Sequence, residues 1–599
     1  MTVRDVRRAQ TVSPFGAGAI IDLVGESFVA EDASKWGGKR EFITMPRLAG
    51  YLKVKELRTA PAGGSVPYYR FPQWLFCPAC RRMERWSIGR EKKGTTPRCQ
   101  NCQAKSQLVP MRFVAVCGRG HLADIDWRRW AHSAAKAGER GTCKDSKLTF
   151  ETSGAVGGGL ESTEVKCGAC GASRSLEDLP RKDSLRRIGQ RCTGRQPWQV
   201  DADAVKCEEE VDAVQRGASS VYFPEVVSAI DIPPDSNWSV VNSPAAKLKA
   251  DASFQWALSN PGHTLVPTML AEAASTTGVP LHEAEIALAQ VLGEEALTTS
   301  VGSVDDITPG EWLALTGPPE NPDPRDFFIG EKKATDRAAV SGRIEDAASQ
   351  LAHVAYEVTL IKRLREVRAL RGFKRHTSLQ LVPANLDARP QFLPAVEVFG
   401  EGFFVRFNED ALASWERNPA VVGRSDRLKK RKEQHVELGW LSEPTPRFVL
   451  LHTFAHLLLR QTAFEAGYSS SSLRERLYVT GSDGDPKMAG VLIYTAAGDT
   501  EGTLGGLVRL GEPERLVPLV CAALASARWC SFDPVCGESS GQGPGGLSLA
   551  ACHACSLVPE TSCVASNRLL DRRLVIDQEF GFFRHVLATI EGVYDGSSL

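Results

Sequence analysis

The chain has 599 residues, 42% of them hydrophobic and 24% charged, with 72 basic residues against 72 acidic ones. That length exceeds what one hydrophobic core supports, so several domains are expected. The absence of net charge excludes a uniformly basic coat for nucleic acid and requires any phosphate-binding surface to arise from local charge segregation.

No apolar stretch follows a basic start and no uninterrupted apolar run reaches about twenty residues, so neither a signal peptide nor a membrane span is expected. The expected setting is cytoplasmic and reducing, which favours thiolate metal ligands over disulfides for the 16 cysteines. Patterning predicts an α+β, multidomain fold with zinc-ribbon-like modules and a mixed α/β C-terminal domain. Five segments are expected: an N-terminal segment at 1–70, a zinc-binding region at 71–215, a helical or mixed connection at 216–325, a helical region with a basic patch at 326–440, and a C-terminal domain at 441–599.

Segment 1–70 opens with Arg7-Arg8-Ala9-Gln10 and then Ser13-Pro14-Phe15-Gly16-Ala17-Gly18-Ala19-Ile20-Ile21-Asp22, a glycine turn running into a short apolar strand. It lacks the Gly-Lys-Ser/Thr ending of a nucleotide-binding loop. No such loop occurs elsewhere, which argues against ATP hydrolysis by this chain alone. A structural turn is the reading for these glycines.

In segment 71–215, Cys77 and Cys80 form one x2 pair, and Cys99 with Cys102 forms another. Two such knuckles at this separation predict a closed four-thiolate zinc ribbon, which contributes folding free energy and no chemistry. Cys117, His121, His132, Cys143, Cys167, Cys170, Cys192 and Cys207 follow, enough for two further tetrahedral sites. The simplest partition puts Cys117, His121, His132 and Cys143 in one and Cys167, Cys170, Cys192 and Cys207 in the other. His132, on an amphipathic stretch, reads equally as a structural histidine.

Beyond residue 223 the pattern turns helical, as at Leu281–Leu292, and Thr308–Pro324 reads as a loop-rich connection. Helical spacing is expected again from Ala339 to Leu370, with Gly372 as terminator. The end of this predicted helix carries Lys362, Arg363, Arg365, Arg368, Arg371, Lys374 and Arg375, with Phe373 among them. Such a stripe suits DNA phosphates, and a second basic run lies at Arg427 to Lys432.

Segment 441–599 begins with an apolar helix over Phe448–Arg460 that places His452 and His456 four apart on one face. Thr453 stands where a zinc protease carries its glutamate, so that chemistry loses its general base. Gly490–Tyr494 reads as a buried strand. Asp499 and Glu501 follow in a glycine-rich turn and, with the two histidines, define an alternative metal-dependent nuclease or hydrolase; a pure protein scaffold is the other alternative. Near the end, Cys552, Cys555 and Cys563 are expected to share a zinc with either Cys530 or Cys536, whereas Cys521 falls in an apolar run and reads as a core thiol. The total is two to four structural Zn2+ ions.

The opening Arg-x-Ala-Gln with Gly-Ala-Gly-Ala-Ile, the Cys-x3-His-Leu-Ala-Asp-Ile-Asp-Trp segment at Cys117–Trp127 and Leu364–Val367 occur in a telling order. His-Thr-Phe-Ala-His-Leu-Leu at His452, Asp-x2-Gly-Thr-Leu-Gly-Gly-Leu at Asp499 and Ala-Cys-His-Ala-Cys with Thr-Ser-Cys complete it. Over nearly its full length the chain resembles the DrmB family of DISARM antiphage subunits. The last third is similar to an uncharacterised domain that accompanies some bacterial superfamily 2 helicases. The resemblance implies a noncatalytic defence subunit that pairs with the DrmA helicase, helps it bind foreign DNA and modulates its ATPase. It carries no catalytic residues to this chain.

Overall fold

A computed structural model describes residues 6–38, 41–61, 66–92, 94–134, 143, 147–152, 158–200, 205–232, 248, 251–281, 284–285, 288, 307–317, 329–335, 343–376, 380–435, 438–480, 486–495 and 505–591. Helices and sheets are mixed, as the α+β expectation requires. Packing divides the chain into two units, each discontinuous in sequence. The first takes Met1–Thr44, Val54–Ser228 and Arg368–Val396, and the second takes Met45–Lys53, Ala229–Val367 and Glu397–Leu599. Segment 71–215 lies whole in the first and 441–599 whole in the second. The borders expected near 70, 325 and 440 fall inside a unit.

The first unit is built from small antiparallel sheets. Strand β1 (Ile20–Leu23) pairs with β2 (Glu26–Ala30), which pairs with β3 (Tyr68–Arg70). The glycine turn ahead of β1 has a packing reason. Gly18 has φ +83°, and a Cβ there would stand 2.3 Å from the Phe373 ring, while one on Gly16 would stand 2.5 Å from Leu370. Next, β4 (Trp74–Phe76) lies between β5 (Met83–Arg85) and β6 (Val109–Pro110). Strands β7 (Phe113–Cys117) and β8 (Leu122–Asp124) form a hairpin that leads into helix α1 (Trp127–His132). Strands β9 (Leu148–Thr152), β10 (Thr163–Cys167) and β11 (Ser173–Ser175) form a further sheet, and β12 (Val211–Gln215) returns to pair with β7. Trp127 and Trp130 of α1 are fully buried among Trp74, Met83, Phe113 and Leu148.

In the second unit, α2 (Ala252–Ser259) and α3 (Val266–Thr277) pack together, with Gly278 closing α3 at φ +70°. Leu281–Leu292 falls mostly outside the described residues. Thr308–Thr316, expected as loop, is helix α4, with Pro309 in its first turn where no N–H is needed. Its Glu311 is buried and accepts hydrogen bonds from Arg476 Nε (2.6 Å), Tyr478 Oη (2.9 Å) and the Ile230 N–H (2.8 Å), which seats the helix.

Strand β13 (Ile329–Ala334) is followed by helix α5 (Arg343–Val354). The helix expected to continue to Leu370 stops there, and residues Glu357–Lys374 form the 18-residue strand β14. Pairing overrides local propensity: β13 lies antiparallel along Glu357–Arg363, and β15 (Phe392–Arg406) is the next strand of the sheet. Gly372 therefore terminates no helix. It lies opposite Pro383, and a Cβ on it would meet the Val382 carbonyl at 2.3 Å. Helix α6 (Pro419–Lys432) carries the second basic run.

Helix α7 (Pro446–Ala466) extends the predicted Phe448–Arg460 span at both ends, from a Thr445 side-chain cap on the Phe448 N–H to Gly467 at φ +66°. It is buried on nearly all sides, as a helix apolar all round should be. It packs on β16 (Leu473–Val479) and β17 (Ala489–Thr495), the latter buried at every residue, as expected of the Gly490–Tyr494 strand. Within this unit the sheet order is β14-β15-β17-β16. Helices α8 (Pro513–Ala527) and α9 (Arg572–Ile576) cover α7 further.

Replacing Gly18 with alanine should destabilise the chain by about 2 kcal/mol more than the same change at Gly94, read from denaturant midpoints. Both glycines have positive φ, but Gly94 has nothing within 4 Å of a new Cβ. It therefore incurs only the backbone cost of about 1 kcal/mol, whereas Gly18 adds overpacking against Phe373.

Candidate metal centres

Five clusters of ligand-type side chains occur among the described residues, three in the first unit and two in the second. In the first, the turn after β4 presents Cys77 and Cys80 to Cys99 and Cys102. The sulfurs stand 3.9 Å apart for Cys77–Cys102, 3.7 Å for Cys80–Cys99 and 3.8 Å for Cys99–Cys102. A disulfide would bring sulfurs to about 2 Å. A tetrahedron with Zn–S bonds of about 2.3 Å has edges of about 3.8 Å, which is the spacing seen. Backbone N–H groups of Cys80 and Asn101 point at Cys77 Sγ and Cys99 Sγ at 3.5 and 3.4 Å. Burial opposes ionisation of Cys77, but the N–H groups of Cys80 and Ala79 outweigh it and hold the thiol down to about 7.

The next eight residues divide differently from the expected partition. Cys117 and His121 join Cys192 and Cys207, and His132 joins Cys143, Cys167 and Cys170. The cause lies in strand pairing. Val211 of β12 sits opposite Cys117 of β7, which returns the chain around residues 192–207 to the Cys117-x3-His121 turn. His132 ends α1, which packs on β10 and β11, so it arrives at the Cys167-x2-Cys170 knuckle at the end of β10. The pairing of Leu148 with Cys167 brings the chain near Cys143 to the same place.

His121 Nδ1 is 3.4 Å from both Cys117 Sγ and Cys192 Sγ. The Cys117 thiol is held down to about 4, chiefly by its hydrogen bond with Cys192 and then by His121 and backbone N–H groups acting against burial. In the other cluster, His132 Nδ1 donates to the Arg128 carbonyl at 2.7 Å, which turns Nε2 toward Cys170 Sγ at 3.2 Å, and Cys143 and Cys167 sulfurs are 3.7 Å apart. This orientation is the one metal-binding histidines adopt.

The fourth cluster takes both Cys530 and Cys536 with Cys552 and Cys555, at sulfur separations of 3.4 Å (Cys530–Cys552) and 3.8 Å (Cys536–Cys555 and Cys552–Cys555). Cys563, expected here, does not belong to it. The chain after Cys555 turns along α7, with the Ser556 carbonyl against His456 and the Leu569 carbonyl against His452, and this carries Cys563 away. It joins His452, His456 and Glu475 instead, a group whose donor atoms all lie within 4.8 Å of one another. Asp499 and Glu501, the carboxylates of the alternative hydrolase, lie outside the described residues. Glu475 escaped the sequence reading because Leu473-Arg-Glu-Arg-Leu looks like an ordinary alternating strand, and only the register reveals that its carboxylate faces inward. Cys521 is buried in α8 with its thiol pushed up to about 12 by burial, as a core cysteine should be.

The predicted basic stripe is a strand, and its cations part company. Arg365 is buried, paired with Asp231 at 3.1 Å and with Glu397. Arg375 is fully buried and donates to the Gly18, Gly120 and Val221 carbonyls at 2.6, 3.1 and 2.9 Å. Neither has a guanidinium face left for a phosphate, which corrects both assignments. Lys362 and Arg371 are exposed but pair with Glu331 and Glu225, each at 2.8 Å, and Lys374 shares Glu225 at 3.2 Å. Arg368 is half-buried. On α6, by contrast, Arg427, Lys429 and Lys430 are exposed, and no ion pair involves them among the described residues.

A family described as a domain of unknown function (DUF8724) matches residues 7–223, the span that holds the first three clusters. The MrfA Zn-binding domain matches residues 454–556, which includes all four cysteines of the fourth. The chain is 32% identical to the DISARM protein DrmB of Bacillus paralicheniformis over 604 residues, covering 95% of this chain and 100% of the relative. No helix among the described residues is long and apolar enough to cross a membrane.

Ion counting by native mass spectrometry separates the observed partition from the sequence-based one. Replacing His132, Cys143, Cys167 and Cys170 together should remove one zinc equivalent. Replacing Cys117, His121, His132 and Cys143, which halves two of the observed clusters but empties one of the expected ones, should remove two.

Proposed function

The chain belongs to the DISARM DrmB family, and from that membership we propose that it is a noncatalytic, zinc-stabilised subunit of a bacterial antiphage complex that partners a DrmA-type helicase, helps it engage foreign DNA and modulates its ATPase. The observation that carries this reading is the relationship to a DISARM protein over essentially the whole of both chains. In this reading the four cysteine-rich clusters hold one Zn2+ each. All four donors of each are protein side chains, which leaves no open position for substrate or water, so the ions serve folding.

The motor belongs to the partner, in keeping with a sequence that has no phosphate-cradling loop with its lysine. DNA contact falls to exposed cations. Arg427, Lys429 and Lys430 on the last turns of α6 are the strongest candidates, and Lys362 and Arg371 are weaker because each would first have to leave a carboxylate. The alternative hydrolase is disfavoured by burial: His452 and His456 are fully enclosed, and their neighbours are Glu475 and Cys563.

The purified chain should show no ATP turnover, and addition of the helicase should restore DNA-stimulated hydrolysis. Intrinsic ATPase or DNA cleavage by the chain after rigorous removal of helicase would overturn the noncatalytic reading. Reversing Arg427, Lys429 and Lys430 to glutamate should weaken DNA binding by the complex for all sequences alike. It should also flatten the slope of log affinity against log salt by about 0.9 per lost contact. Loss of helicase association with unchanged DNA affinity would reassign these cations to a protein interface.

A further inference from the structure

Beneath α7, four ligand-type side chains converge. His452 and His456 are fully buried, and Glu475 on β16 is 2% exposed. The Nδ1 atoms of the two imidazoles face backbone carbonyls, His452 that of Leu569 at 3.3 Å and His456 that of Ser556 at 2.9 Å. A ring nitrogen facing a carbonyl must carry the proton, so in the neutral imidazole Nε2 is a bare lone pair. Both Nε2 atoms point inward: His452 Nε2 lies 3.2 Å from Glu475 Oε1 and 3.2 Å from Cys563 Sγ, and His456 Nε2 lies 3.5 Å from the same Oε1. His456 Nε2 and Glu475 Oε2 make no hydrogen bond among the described residues, although both are buried.

Backbone N–H groups point at the other two donors. Cys563 Sγ accepts the N–H groups of Ala565 and Asn567 at 3.3 and 3.1 Å, and Glu475 Oε1 accepts that of Val564 at 3.0 Å. In their ligating forms a thiolate, a carboxylate and two neutral imidazoles carry two negative charges, and a dry interior tolerates these only beside a compensating cation. A divalent ion cancels that charge completely.

We propose that His452 Nε2, His456 Nε2, Glu475 and Cys563 Sγ bind a fifth metal ion, a zinc(II) held by two nitrogens, one oxygen and one sulfur. The mixed donor set suits a borderline-soft ion that accepts four ligands and excludes calcium or magnesium, which require oxygen throughout. The carbonyls of Leu569 and Ser556 fix the imidazole tautomers, the usual second layer around a metal-binding histidine. The ion ties the middle of α7 to β16 and to the chain that follows the fourth cluster. The MrfA Zn-binding domain match holds His456 and Glu475 along with the four cysteines but leaves out His452 and Cys563, and the separation of the two ligand sets rests on their geometry. The inference rests on this geometry alone and not on the family assignment.

Anomalous scattering at the zinc K-edge from crystals of the full-length chain tests it. The expected result is a peak about 2.0–2.3 Å from all four donors, beside the peaks at the four cysteine-rich clusters. Peaks at the other clusters with none here would overturn the fifth site and leave the functional reading standing. A peak at the iron edge in place of the zinc edge would overturn the assignment to zinc. As a second measurement, native mass spectrometry of the Glu475→Gln chain should show one ion fewer than the unmodified chain, and an unchanged count would remove Glu475 from the ligand set. If that variant fails to fold, the scattering from the unmodified chain still decides.

Discussion

The first unit depends on sulfur brought to the edge length of a zinc tetrahedron. The strands of its three-stranded sheets run from two to five residues, and a sheet of that size buries too little apolar surface to offset the entropy of ordering its loops. Three clusters sit at the ends of these strands, each drawing ligands from segments that hydrogen bonding alone would leave loosely joined. Cys117 and His121 on one hairpin meet Cys192 and Cys207 through the return of β12, and His132 crosses from α1 to the β10 knuckle. A metal in each position converts a long, open loop into a closed one in the folded state.

The second unit solves the same problem by a different route. Its main core is large, with α7 enclosed by sheet on one side and by α8 and α9 on others. Polar groups inside it are therefore conspicuous. Glu311 is matched by Arg476 and Tyr478, and Arg365 by Asp231 and Glu397, so these buried charges are neutralised where they stand. Glu475 is the exception: burial works to raise its pKa, but the two histidines pull it well below the usual carboxylate range, so the anion is the form the site holds. Desolvation pushes His456 down, but the same carboxylate outweighs it and lifts the imidazole to about 9, so a cation binding at Nε2 displaces that proton.

How much of this was readable in the sequence follows the range of the interactions. The Cys77-Cys80 and Cys99-Cys102 ribbon was fully legible, because its two knuckles announce themselves by local spacing. The α7 helix and the β17 strand were legible from continuous apolar runs. The assignment of Cys117, His121, His132, Cys143, Cys167, Cys170, Cys192 and Cys207 to two sites was not, since it is decided by which strand returns to which. Cys563 misled for the same reason: three residues of spacing bind Cys552 to Cys555, but nothing local says that the next cysteine faces another helix. The segment Glu357–Lys374 failed differently, because its Leu, Arg and Glu content favours helix and only its neighbours in the sheet make it a strand.

Arg375 has a consequence for how the molecule comes into being. Its guanidinium holds carbonyls 154, 255 and 357 residues earlier in the chain, at Val221, Gly120 and Gly18. A ribosome delivers the chain from its N-terminus, so all three zinc-type clusters of the first unit emerge and can close while the arginine and Phe373, on which the Gly18 turn packs, are still unsynthesised. During that interval the carbonyls of Gly18, Gly120 and Val221 lack their donor. The nascent first unit is thus a set of pieces awaiting a keystone, and its completion is timed by translation through Arg375, just past the end of β14.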